Sequence, residues 1–266
     1  MLQVIVPVDF SETSSTAVRF GTNLAELLGF DLHVVHVSDL VLSGKHSLTT
    51  PEQKRDEIAL GERLAEFTRE NVAQILLTNR GRVAVTPKVS QSIRSGMATE
   101  QILALSRQTT TALIVMGGVG TGAGITLPGV YGSVATPVAT RSACPVILIP
   151  KGHDAVAVER LAIAFDDADE IIRIGQFARN IVKALRPEVR YVHVTKVNWR
   201  EEIETQDDFM DLTWGKGFPS YSFKFDVLPV GNVVESLLAY VKDEEIGLLV
   251  LGGKRHGFWQ RLFTKG

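Results

Sequence analysis

The chain has 266 residues, a length that suits one large α/β domain or two domains of ordinary size. Its 28 basic residues nearly balance 30 acidic ones, so the composition excludes a strongly basic protein that binds nucleic acid or an anionic membrane surface. Cys144 is the only cysteine and no apolar run reaches the ~18 residues of a membrane span, so we expect a cytoplasmic protein without disulfides.

The first predicted elements alternate between strand and helix. Residues 4–8 and 32–37 are nearly continuous apolar runs, as expected of parallel strands that are covered on both faces. Between them, Ala17, Phe20 and Leu24 recur at helical spacing. This order predicts a β-α-β unit with the two strands parallel.

A second helix is predicted to begin after Thr50. That residue supplies a capping hydroxyl, Pro51 occupies the first helical position, and Gln53 stands at the third. The apolar side chains that this helix would turn inward are Leu60, Leu64, Phe67 and Ile75.

A glycine-rich segment follows the strand predicted at residues 113–116. Residues 114–134 contain seven glycines, and no acidic residue occurs between Gln101 and His153. Glycines let main-chain N–H groups turn toward an anion, and Gly132-Ser133 before a helix would add further donors. The alternatives are a flexible linker or turns that close against a neighbouring helix. We favour an anion site.

Two familiar nucleotide motifs fit this segment poorly. The spacing Gly118-x-Gly120-x-x-Ala123 matches the dinucleotide fingerprint, but Pro128 interrupts the helix that should follow. Gly117-x4-Gly122 has the spacing of a P-loop, but it lacks the lysine and hydroxyl residues that hold phosphate and magnesium there. We exclude the P-loop.

The pattern of strands and helices occurs twice. The stretch from Val4 matches the stretch from Leu161, with Asp9 over Asp166, and "LIVMGG" from Leu113 matches "LLVLGG" from Leu248. We therefore predict two α/β domains, residues 1–152 and 153–266, each a doubly wound parallel sheet. Ligands bind such sheets at the carboxyl ends of the strands, where the strand order reverses.

At this point the residues resemble a known family. "VDFS" at 8–11, "VHVS" at 35–38 and "LIVMG…G…GS…CPVILIP" from Leu113 to Pro150 are similar to the universal stress protein family, and two copies resemble its tandem members. The resemblance implies two Rossmann-like, adenine nucleotide alpha hydrolase-like domains. The family's glycine loop is G-x2-G-x9-G-[ST]. Gly117-x2-Gly120 fits its first part, but eleven residues then separate Gly120 from Gly132; alternatively Gly122-x9-Gly132-Ser133 fits its second part, and the first glycine pair is displaced. Pro137 should kink or shorten the helix that follows.

The resemblance also implies roles for individual residues of the first copy. Asp9, after Pro7 and Val8 at the end of the first strand, would lie by the ribose and adenine, and the main chain of Val37 would bind the adenine edge. The phosphates would be surrounded by residues of the glycine loop and its ends: Met116, Gly117, Gly120, Gly122, Gly132, Ser133 and Val134. The ligand would be ATP, ADP or AMP, with Mg²⁺ beside the phosphates. For Asp9 the alternative is a helix-capping or ion-pairing role, and for Val37 it is plain core packing.

The second copy differs at the same place. "LGGKRHGFWQRLFTKG" from Leu251 has lost most of the glycines and gained bulky side chains, which resembles the branch of the family that holds no ATP. We expect one nucleotide site per chain. The sequence as given also ends before the last helix and strand of the second copy, so the edge strand at 146–149 is expected to pair within a pseudo-dimer or in a homodimer.

Other candidates for chemistry are weak. His36 and His193 occupy equivalent strand positions and are expected to be packed and hydrogen-bonded, and Cys144 is expected to be a buried, inert thiol. No metal-ligand spacing is present, and no nucleophile, base and orienting group can be assembled from the sequence. The expected function is regulation or signalling in the stress response through a bound adenine nucleotide. The alternative is an interaction module of the same fold without nucleotide, and any ATPase activity would be slow and incidental.

Overall fold

The computed structural model describes residues 1–38, 51–78, 86–118, 132–150, 157–165, 168–194, 207, 221–228 and 232–251. Internal contacts divide the chain into two compact units, Met1–Val156 and Ala157–Gly266. Each unit contains a parallel β-sheet, so the predicted fold class is confirmed.

The described residues of the first unit form five parallel strands and four helices. In chain order they are β1 (Gln3–Val8), α1 (Glu12–Leu28), β2 (Asp31–Ser38), α2 (Pro51–Thr78), β3 (Val89–Ser95), α3 (Ala98–Ser106), β4 (Thr111–Gly117), α4 (Ala135–Arg141) and β5 (Val146–Ile149). The strand order across the sheet is β3-β2-β1-β4-β5. Order therefore reverses between β1 and β4, which places the switch point of the doubly wound sheet there.

The second unit repeats the first four strands in the same order. Its elements are β6 (Arg160–Phe165), α5 (Ala168–Leu185), β7 (Glu188–Val194), β8 (Phe223–Leu228), α6 (Val233–Asp243) and β9 (Leu248–Leu251). The sheet order is β8-β7-β6-β9, so β6 to β9 correspond to β1 to β4. The repeated strand order agrees with the repeat that the sequence offset indicated.

Local sequence accounts for the ends of α1. Ser11 is its N-cap, and the Ser11 hydroxyl accepts a hydrogen bond from the Ser14 N–H. At the other end Gly29 adopts a left-handed conformation, with φ 68°, and Phe30 N–H donates to Ala25 O. The helix buries an apolar stripe that includes Phe20 and Leu24.

The long helix α2 begins at Pro51, as the sequence predicts. Leu64 and Ile75 are buried, and Leu60 and Phe67 are half-buried, so all four predicted positions lie at least partly inside. In α4, Pro137 stands in the first turn, where its missing N–H has no partner within the helix in any case. That explains how a seven-residue helix accommodates it.

One hydrophobic cluster holds the sheet of the first unit against α3 and α4. Its buried members are Ile5, Val35, Ile102, Leu105, Ile114, Met116, Ala135 and Val138. At roughly 1.5–3 kcal/mol for each fully buried large apolar side chain, this cluster is a main source of the unit's stability. In the described residues, no helix is long and apolar enough to cross a membrane.

Candidate functional site

The strands β1 and β4 stop pairing before their carboxyl ends. Their register runs from Gln3 to Ile5 on β1, although β1 continues to Val8 and β4 continues to Gly117. On the other side, β1 remains paired with β2 as far as Val8 with His36. The switch point therefore coincides with an unpaired stretch between two central strands, which is the crevice where doubly wound sheets bind ligands.

Pro7 accounts for this early end of pairing. Gln3 N–H donates to Thr110 O on the β4 side, and alternate residues of a strand face the same neighbour, so position 7 also faces β4. Proline has no N–H to donate, and it cannot extend the ladder in that direction. A proline in a central strand, otherwise disfavoured, thus marks the point where pairing between β1 and β4 ends.

Asp9 follows β1 at the mouth of this crevice, and its carboxylate is held through one oxygen. Oδ1 accepts hydrogen bonds from the Ser11 N–H at 3.0 Å, the Ser11 hydroxyl at 2.5 Å and the Ser14 hydroxyl. The Ser14 hydroxyl also accepts from the Asp9 N–H at 3.1 Å. Asp9 thus supports the start of α1 without being its N-cap, which is Ser11.

The hydrogen bonds keep this carboxylate ionised. Burial alone would raise the pKa of Asp9, but the hydroxyls of Ser11 and Ser14 together with backbone N–H groups outweigh it, so the pKa lies below its ordinary value. Asp9 is exposed, and among the described residues every hydrogen bond to its carboxylate ends on Oδ1. Oδ2 is left as an acceptor for a ligand hydroxyl.

Aromatic side chains form one wall beside Asp9. Phe10 adopts a left-handed conformation with φ 65°, which is rare for a bulky residue, and its ring lies 4.6 Å from that of His36. The guanidinium carbon of Arg63 stands 4.1 Å above the Phe10 ring, and Phe67 meets the ring edge-on. The His36 Nδ1 bonds to Val8 O at 2.8 Å, which confirms the prediction of a packed, hydrogen-bonded histidine.

Three predicted ligand contacts use their side chains for the core. Met116 belongs to the buried cluster, and Val37 and Val134 pack against it. Val37 lies one residue beyond His36, the last residue of β2 that pairs with β1. The side chains of these three residues are therefore unavailable to a ligand. The main-chain role of Val37 stays a prediction.

Gly117 has a packing role that the sequence did not reveal. A Cβ at Gly117 would lie 2.8 Å from Thr13 Oγ1 and 2.9 Å from Thr13 Cβ, closer than side chains tolerate. The end of β4 thus touches the first turn of α1, and only glycine fits between them. Packing explains this glycine with or without a phosphate nearby.

The rest of the glycine-rich segment is only partly described. Gly120 and Gly122 lie outside the described residues, as does Asp166 of the second unit. Gly132 is half-buried, Ser133 is exposed, and Val134 is the residue before α4. Val134, rather than Ser133, occupies the N-cap position of that helix, and no side-chain hydrogen bond caps it.

Two further expectations can be compared with the structure. Cys144 is half-buried rather than buried, and burial raises the pKa of its thiol above the ordinary value, so it remains a thiol at neutral pH. His193 is buried, with its ring 5.2 Å from Phe165. In the described part of the chain, no group of three or more His, Cys, Asp or Glu side chains is arranged to hold a metal ion.

Comparison with known proteins gives a family and a fold. The model of the Universal stress protein family matches residues 1–150. A universal stress protein from Archaeoglobus fulgidus DSM 4304 aligns with 96% of this chain and 89% of its own, with a TM-score of 0.68 and 16% identity. UspA from Lactobacillus plantarum aligns with 56% of this chain and 97% of its own, at a TM-score of 0.38 and 23% identity. A universal stress protein from Archaeoglobus fulgidus in complex with dAMP aligns with 56% and 98%, at a TM-score of 0.38 and 20% identity.

Proposed function

The chain belongs to the universal stress protein family, and on this basis we propose that its first unit binds an adenine nucleotide in the crevice between β1 and β4. Nucleotide occupancy would then regulate the protein's partners in a cytoplasmic stress response. The second unit, whose strand order repeats that of the first, is proposed as a second domain of the same family without a nucleotide site.

The observation that carries this proposal is the crevice itself. Pairing between two central strands ends before their carboxyl ends at the switch point, and an ionised carboxylate with one committed oxygen follows β1 there. Ribose hydroxyls are hydrogen-bond donors of the kind that such a carboxylate oxygen accepts. Asp9 would therefore orient the ribose, and the main chain of Val37 would bind the adenine edge.

The phosphates would lie toward β4 and α4. Gly132, Ser133 and Val134 lie on that side, and the whole stretch from Gln101 to His153 lacks acidic residues that would repel phosphate. Gly117, Gly120 and Gly122 complete the proposed cradle. Asp9 is the one acidic residue among the proposed site residues. Mg²⁺ would therefore be bound mainly by the phosphates of ATP and not by a set of protein carboxylates.

Calorimetric titration tests the proposal. ATP, ADP and AMP are added separately to the purified chain, to Gly132→Trp, and to Gly252→Trp in the second unit. We expect binding to the parent and to Gly252→Trp, and loss in Gly132→Trp because the indole fills the phosphate space. Nucleotide at ~100 times its dissociation constant should also add about 2.7 kcal/mol to the free energy of unfolding.

A second candidate function is an interaction module that holds no nucleotide. The close approach of Gly117 to Thr13 favours it, because packing by itself explains this glycine and no bound phosphate is needed to account for it. If none of the three nucleotides binds the parent chain, this second function replaces the first.

A further inference from the structure

Outside the crevice, polar side chains of β2 and β3 form a hydrogen-bonded row. His33 on β2 stands between two serines of β3, with Nδ1 2.8 Å from Ser90 Oγ and Nε2 2.9 Å from Ser92 Oγ. All three side chains are half-buried. A histidine held between two hydroxyls has the geometry of a nucleophile, a base and an orienting group.

Two tautomers of His33 are compatible with this row, and one of them has the hydrogen-bond directions that a base needs. In that tautomer the Ser90 oxygen accepts from Nδ1 of His33, and the Ser90 hydroxyl is directed to Leu32 O, 3.4 Å away. Nδ1 of His33 then carries the proton, and Nε2 is the acceptor for the Ser92 hydroxyl. Each group then donates to the next: the Ser92 hydroxyl to His33, His33 to the Ser90 oxygen, and the Ser90 hydroxyl to Leu32 O.

The imidazole is kept in the form that a base needs. Burial lowers the pKa of His33, and the positive charge of Arg94 lowers it further. The ring is therefore neutral at pH 7, with Nε2 able to take a proton.

The row lies on the sheet face that carries α3. In the register of β2 with β3, His33 stands opposite Ser90 and Val35 stands opposite Ser92, and Val35 packs against Ile102 of α3. Arg94, two residues after Ser92, donates to Gln101 of α3 at 3.4 Å. Its Nε is buried and has no hydrogen-bond partner among the described residues.

We propose that Ser92 is a nucleophilic serine that accepts the acyl group of small carboxylic esters, with His33 as its base and Ser90 as a positioning residue. Ser92 Oγ forms a bond to the carbonyl carbon while its proton passes to Nε2 of His33. The bond from the carbonyl carbon to the leaving oxygen breaks, and His33 returns the proton to that oxygen. Water then attacks the acyl-serine, gives a proton to His33, and releases the carboxylic acid as Ser92 recovers its proton.

This activity is separate from nucleotide binding, because its residues lie on the sheet face beside α3 and not in the crevice. The test is to incubate the full chain with p-nitrophenyl acetate, follow p-nitrophenolate release, and locate the acetyl group by mass spectrometry of peptides. We expect acetylation of Ser92 or catalytic turnover, absent in Ser92→Ala and reduced roughly tenfold or more in His33→Gln. Ser236→Ala, which removes a half-buried serine of α6, is the matched control and should react like the parent.

The pH profile distinguishes an activated serine from adventitious acetylation. The parent rate should fall as the pH drops through the pKa of His33, below its ordinary value of ~6.5, and Ser90→Ala should move that midpoint. If the acetyl group is found only on lysines, or if His33→Gln reacts as fast as the parent, the proposal is wrong. His33→Gln also decides the question if Ser92→Ala does not fold.

Discussion

At the scale of single residues, the turn between β1 and α1 combines stability with a site for chemistry. Ser11 caps the helix, Asp9 accepts from Ser11 and Ser14, and Phe10 between them takes a strained conformation. The strain costs on the order of 1–3 kcal/mol and is offset by the contacts of the Phe10 ring with His36, Phe67 and Arg63.

Replacing Ser11 with alanine should destabilise the first unit. The substitution removes the acceptor for the Ser14 N–H and the hydroxyl that donates to Asp9, while the Ser11 N–H still donates to Asp9. We therefore expect a loss of about 1 kcal/mol in the free energy of unfolding. Urea denaturation measures it. Ser15→Ala, one turn further into the same helix, is the control and should change the free energy of unfolding by less than about 0.5 kcal/mol. Equal effects at both positions would contradict the capping role.

His33 should make stability depend on pH. The pKa of His33 is lower in the folded chain, so the unfolded chain takes up the proton first as the pH falls. The stabilisation from neutral His33 is therefore complete above pH ~6.5 and is lost as the pH falls from there to the folded pKa. We expect the free energy of unfolding to fall less steeply between about pH 7 and pH 5 in His33→Gln, by no more than about 1.4 kcal/mol per pH unit. Parallel curves for parent and variant would show that His33 does not titrate in this range.

At the scale of elements, the contact between β4 and α1 is the tightest constraint near the site. Gly117→Ala would place a methyl group under 3.0 Å from Thr13, so we expect a loss of about 1–3 kcal/mol on thermal or urea unfolding. Gly61→Ala in α2 is the matched control, since its added Cβ meets nothing within 4 Å and should stabilise the helix by up to about 1 kcal/mol. A neutral Gly117→Ala would mean that the two elements adjust at little cost.

Some of these elements could be predicted from local sequence and others could not. The strand at 146–149 and the start of α2 at Pro51 appear where apolar runs and capping residues place them. The strand Val89–Ser95 gives no apolar run, because serines and an arginine alternate along it, so the sequence does not predict it. The Ser-His-Ser row between β2 and this strand is not predicted for the same reason. Contacts across strands, such as His33 with Ser92 or Gly117 with Thr13, depend on register, which the sequence does not show.

At the scale of the whole molecule, two sheets of the same strand order stand in two compact units. The internal sequence offset predicts this repetition because each copy carries its own apolar strands and an apolar helix stripe. That the second copy is also a domain of this family is a proposal, and it rests on that offset and on strand order. The early end of pairing between β1 and β4 could not be predicted from the sequence, because it depends on which neighbouring strand Pro7 faces.

The first unit should fold alone. It has its own five-stranded sheet and its own core cluster, so residues 1–156 expressed separately should give helical circular dichroism and one cooperative thermal transition. The intact chain at the same concentration is the comparison. A broad, non-cooperative transition in the fragment would show that the first unit needs the second.

The central place of β1 has a consequence for synthesis on the ribosome. β1 begins at Gln3 but its neighbour β4 ends at Gly117, so the backbone N–H and C=O groups on this edge of β1 wait for a strand made much later. At ~5–20 residues per second, the interval between completion of β2 and of β4 is roughly 4–16 s. Until β4 is complete, this edge of β1 lacks its partner strand.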